Sequence, residues 1–277
     1  MTPAERRDAQ ARSAFAGHRL FAIVLRHLYV MRTSWPRLLE MAYWPTVQMI
    51  VWGFASSFFR GHSSWVAQAA GVLIGAVLLW EVMFRANLGF SLSFLEEMWS
   101  RNLGQLYLTP LRPYEHVAAL AIMSLIRTCI GLLPPSLLAI ALYGFNIYDL
   151  GLPLVAFFAN LMVMGWSVGL LTAGLVLRFG MGAESLAWVL IFGLSPLAGI
   201  YYPISTLPGW LQHVAYALPP AYVFEGMRAA MFDHVFRWDL FVRAVALNAV
   251  YFSALAAFFL HMVRVARRKG LLLNMGE

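Results

Sequence analysis

The pentapeptide Gly165-Trp166-Ser167-Val168-Gly169 has the G-x-S-x-G spacing that presents a nucleophilic serine in hydrolases. Such a serine needs a base within hydrogen-bond reach, and His261 is the best-placed histidine on a later apolar segment. On two membrane helices these residues would differ in depth by roughly 9 Å at about 1.5 Å of rise per residue, too far for a dyad. Glycines four apart, here and at Gly71 and Gly75, also let helices approach closely, and packing is the favoured reading. Lys269 is the only lysine, so no G-x-x-x-x-G-K-[ST] loop can cradle a nucleotide's phosphates. The histidines are scattered, with no H-E-x-x-H pair, and the lone Cys129 supports neither a disulfide nor a thiolate site, so no metal is expected. What remains is charge inside apolar runs. Glu81 and Arg85 stand four residues apart, and Arg127 sits where an unpaired arginine costs at least about 2.5–3.5 kcal/mol. Glu81 is therefore expected to pair with Arg85 or Arg127, fixing one span against the next or lining a path.

The elements that must position these groups follow from composition. The chain is 61% hydrophobic and 12% charged, whereas soluble domains are roughly 25% charged. It reads as an all-α membrane protein forming one domain over residues 1–277. Hydropathy places six spans near residues 38–59, 66–90, 116–142, 152–177, 185–202 and 240–262. Arg6, Arg7, Arg12, Arg19, Arg26, Arg32 and Arg37 precede the first, and Arg264, Arg267, Arg268 and Lys269 follow the last, so both termini are expected in the cytoplasm. No small-residue cleavage site follows the basic start, which is expected to be retained. The net charge of +7 then serves topology and contact with membrane lipids, not nucleic acid.

Residues 14–34 predict an amphipathic helix in the cytoplasmic interface, with Phe21, Val24, Leu25 and Leu28 at helical spacing. A short cytoplasmic helix is predicted over 91–102, carrying Glu96, Glu97 and Arg101 with an apolar face that includes Met98 and Trp99; Pro110 and Pro113 stop it. Its acidic end is expected to be free for another protein. Between the fifth and sixth spans, YYPISTLPGWLQHVAYALPPAYVFEGMR breaks the apolar pattern at Pro203, Pro208, Pro219 and Pro220. Two short helices, near 207–217 and 220–230, are too short to cross a bilayer, so they are expected to dip in from the outer side and return. Glu225 and Arg228 can meet on one helix face and hold that segment's shape.

A basic interfacial helix, six spans, a helix running into LxxLYLTPLRPYE (Leu103 to Glu115) and the proline-broken block from Tyr201 to Arg228 together resemble type-2 ATP-binding-cassette exporter permeases over nearly the whole chain. The resemblance implies a transmembrane subunit in a bacterial inner membrane that pairs with a second permease copy, as a homodimer. ATP and magnesium would be bound by a separate ATPase on the cytoplasmic face, with no cofactor in this chain. It maps the coupling contacts onto Glu96, Glu97, Met98 and Arg101, and an outer gate onto Pro208, Trp210, Pro219, Pro220, Glu225 and Arg228. The implied cargo is a polysaccharide, lipid-linked glycan or other amphiphile; the alternative is efflux of drugs or natural products. A rhomboid-like intramembrane serine protease, built on Ser167, is the competing class.

Overall fold

The computed structural model describes residues 17–60 and 64–270, which form helices joined by short turns. The first helix, α1 (Gly17–Arg32), buries Ile23, Val24, His27 and Met31 and leaves Phe21 and Tyr29 on the opposite side. Residues 14–16 of the predicted interface helix lie outside the described residues. Next come α2 (Trp35–Arg60) and α3 (Ser64–Trp99), a helix of 36 residues. A single turn, α4 (Leu103–Leu106), leads to α5 (Pro113–Tyr143) and α6 (Leu152–Phe179), followed by a short α7 (Leu186–Leu194). Two small helices, α8 (Gly209–Tyr216) and α9 (Pro219–Phe232), precede the last, α10 (Trp238–Lys269).

Four of these are long and apolar enough to cross a membrane: Val72–Trp99 of α3, α5, α6 and α10. Two predicted elements differ from what is observed. The fifth segment, expected as a span over 185–202, is helical only to Leu194 and tightens into a 3-10 turn at Ser195–Leu197. Pro196 cannot donate a backbone hydrogen bond there, and Gly199 takes φ +68. The separate cytoplasmic helix expected over 91–102 is instead the last turns of α3. No proline interrupts α3 before Trp99, so the helix simply continues past the predicted end of the span.

The centre of the bundle is α3, which packs against α2, α5 and α6. Close approach comes from small residues. A Cβ on Gly165 would lie 2.5 Å from the Ala86 Cβ, and one on Gly169 would lie 2.9 Å from Phe90. Gly89 meets Ser124 of α5 in the same way, and Ser124 Oγ donates to the Ala86 carbonyl at 2.7 Å. Ser167 therefore sits in a helix seam. Its Oγ donates to its own helix at Val163 O, 2.8 Å away, while His261 is exposed on α10. The G-x-S-x-G spacing is a packing device of the kind that lets membrane helices approach closely through small residues. Gly75 packs beside Met231 and Phe145, while Gly71 lies outside the residues whose surroundings are described.

Candidate functional site

Among the described residues, the densest charge collects where α3 ends. Glu97 is 2% exposed and is held from three directions. Arg26 Nη2 stands 3.1 Å from Oε2, His27 Nε2 stands 3.5 Å from Oε1, and Asn102 Nδ2 donates to Oε2 at 2.9 Å. Its neighbour Glu96 receives Arg127 Nη2 on both oxygens, at 3.2 and 3.0 Å, with His27 Nδ1 at 3.7 Å. A third carboxylate, Glu115, accepts from the Arg112 backbone N–H at 2.9 Å, which caps α5, and faces Arg19 at 3.6 Å. Arg19 also donates to the Pro110 carbonyl at 2.8 Å. Opposite charges so close in a poorly hydrated site attract one another strongly, and each is expensive to leave alone.

These contacts tie four helices to one turn. Arg19, Arg26 and His27 come from α1, Glu96 and Glu97 from α3, and Glu115 and Arg127 from α5. The fourth tie is α10, whose Arg267 lies 4.9 Å above the ring of Tyr107. Tyr107 is buried, and burial pushes its phenol pKa upward, so its hydroxyl stays neutral in its 3.1 Å contact with His116 Nδ1.

Past the charged knot, the chain turns outward. Asn102 N–H donates to the Glu97 carbonyl at 3.0 Å and Arg101 N–H to the Met98 carbonyl at 2.9 Å, which together form a Schellman end to α3. The left-handed position is Arg101, at φ +52, where glycine is the unstrained residue. Keeping a side chain there costs about 1 kcal/mol, which is accepted where the side chain is used. Around it Trp99 is 48% exposed and Leu108 87% exposed, with Gln105 and Thr109 also at the surface.

Sequence-predicted residues are thus divided between two environments. Arg101 and Trp99 are outward. Glu96, Glu97 and Met98 are not the free acidic surface expected of them: Met98 and Glu97 are buried, and Glu96 is saturated by Arg127. The reason is geometric, since α3 runs on inward of the arginines of α1 and α5. The same fact corrects the partner of Arg127, which is Glu96 and not Glu81. Glu81 pairs along its own helix with Arg85, at 3.4 Å. Sequence reading missed Arg19, Arg26 and His27 as partners, because no local pattern says which arginines of a basic helix turn inward; Asn102 and Tyr107 carried no signal at all.

A second ordered polar group lies at the opposite end of the chain's helices. Glu225 and Arg228 pair at 3.3 Å on α9, and both reach backbone. Glu225 Oε1 accepts from Ile204 N–H at 2.8 Å, while Arg228 Nη2 donates to the carbonyls of Gly199 at 2.6 Å and Tyr202 at 3.2 Å. Pro219 and Pro220 begin α9 buried, Pro208 caps α8, and Trp210 projects outward at 70% exposure. Glycine suits position 199: its φ is positive, where a side chain is strained, and a Cβ would lie 2.7 Å from Ile204 Cδ1. Arg228→Leu should orphan the Gly199 and Tyr202 carbonyls, leave Glu225 only its Ile204 N–H, and cost about 3 kcal/mol locally. Hydrogen exchange at residues 199–204 should accelerate accordingly, and unchanged protection there would refute the assigned role.

A family model described as ABC-2 type transporter matches residues 20–232, from within α1 to the end of α9. No curated protein matches the chain.

Proposed function

The chain belongs to the ABC-2 type transporter family, and from that premise we propose that it is the membrane subunit of an exporter whose ATPase is a separate chain. The observation that carries the proposal is the turn over residues 99–110, which offers tryptophan, arginine and leucine outward while its base is clamped to α1, α3, α5 and α10. Trp and Arg are the residues that dominate protein–protein docking energy. A force applied at the exposed turn cannot be absorbed locally, because Glu96, Glu97 and Glu115 bind it to three helices through charge-assisted contacts. We assign the turn as the ATPase contact and the charged knot as the transmission between it and the bundle.

In this reading α2 and the short α7 join the four apolar helices as spans, giving six, with both termini in the cytoplasm of a bacterium and the α8–α9 segment at the outer face. A second copy meets the chain along the α2 and α7 faces. Support comes from their exposed aromatics: Trp44, Phe54, Trp188 and Phe192 project from them, and Tyr201 stacks on Trp52 at a centroid distance of 4.7 Å. Flat apolar faces of that kind bind sugar rings or hydrophobic cargo, so the cargo proposed is a glycan or lipid-linked amphiphile. In proteoliposomes with the ATPase, a lipid-linked oligosaccharide should stimulate ATP hydrolysis and move outward. Stimulation by hydrophobic drugs alone would transfer the assignment to drug efflux.

A further inference from the structure

We propose that a cleft between α3, α5 and α6 holds one acyl chain of a bilayer phospholipid, its glycerol end at the hydroxyl pair of Ser136 and Tyr148. The cleft has a volume of about 430 Å³ and aliphatic walls that include Leu78, Val82, Leu132 and Leu133, within the size range of small-ligand sites. Its three walls come from helices long and apolar enough to cross a membrane. The medium outside its mouth is then hydrocarbon, which rests on the membrane reading of those helices and not on the assignment of the ATPase contact.

Polarity along the cleft runs in the order of a lipid. Ser136 and Tyr148, 2.7 Å apart, stand beside the 3-10 turn Ile147–Leu150 that joins α5 to α6 and therefore lies at the membrane surface. Cys129, at the other end of the cleft, is seven residues earlier on α5, about 10 Å deeper at the helical rise. The Ser136 hydroxyl also lies 2.8 Å from the Leu133 carbonyl. If Ser136 donates to that carbonyl, Tyr148 donates to Ser136 and keeps a free acceptor. If Ser136 donates to Tyr148, the tyrosine keeps a free proton. Either way the Tyr148 oxygen has one hydrogen-bonding position left for an ester or hydroxyl.

The test uses the full chain in nanodiscs of phosphatidylethanolamine and phosphatidylglycerol, doped with phosphatidylethanolamine bearing a diazirine at the end of one acyl chain. After illumination, adducts should concentrate at the deep end of the cleft, around Cys129 and Phe158. Leu133→Trp should lower them about tenfold by filling the cleft, with an unchanged melting temperature because Leu133 is 55% exposed. Val155→Trp, at a position 63% exposed, is the parallel variant should the first perturb folding. Tyr148→Phe should weaken the adducts with the lining intact. Labelling spread evenly over α2 and α10, insensitivity to both tryptophans, or adducts between two protein chains at this cleft would each overturn the proposal.

Discussion

Glu96→Leu is expected to destabilise the protein by about 3–5 kcal/mol, because it strands Arg127 as a buried cation. Arg127 is 6% exposed, and Glu96 takes its Nη2 on both carboxylate oxygens. The loss should appear as a lower melting temperature in detergent and as poor recovery of folded protein. Pairing the change with Arg127→Met should restore most of the stability, since both charges then escape the cost of desolvation. A double variant as unstable as the single would show that the pair serves packing and not charge compensation. Charge reversal at Glu96 and Glu97 is consequently a poor probe of docking: at these positions it disrupts the fold before it can report on a partner.

Docking is better probed from the exposed turn. Trp99→Ala combined with Arg101→Glu should weaken binding of the ATPase by about 30-fold or more, the effect of removing a tryptophan hot spot worth roughly 2 kcal/mol together with a favourable charge. Both side chains point outward, so the melting temperature should hold. Arg101→Gly separates side chain from backbone: it relieves the left-handed strain at φ +52 and keeps the Schellman turn, yet should still weaken binding. If Arg101→Gly binds the ATPase as tightly as the parent chain, the arginine has no part in docking.

Much of this fold was legible because long apolar runs have few solutions. Hydropathy placed α6 to within two residues at either end, α10 runs seven residues beyond its expected end at 262, and the proline spacing from Pro203 to Pro220 placed two short helices where α8 and α9 stand. The Glu225–Arg228 contact was readable from a three-residue spacing, but its reach to Gly199 and Tyr202 was not, because that depends on how the 3-10 turns fold back. The charged knot was the least legible part. Glu96 and Glu97 look solvated in sequence because the last turns of α3 share the composition of a surface helix, and only the placement of α1 against α5 shows that they face arginines. Arg127 is recognisable in sequence as needing a carboxylate, but Glu96 does not stand out as its partner because the last turns of α3 read as a separate helix beyond the membrane.

We propose that a separate ATPase meets this chain at the turn over residues 99–110. Photo-crosslinking residues placed at Gln105 and Leu108, with Tyr148 and Trp210 as controls, test it in intact membranes that contain both proteins. Adducts are expected between the ATPase and positions 105 and 108 only, lost when Trp99→Ala and Arg101→Glu are introduced. Adducts from 148 or 210, or none from the turn while the two proteins still co-purify, would contradict it.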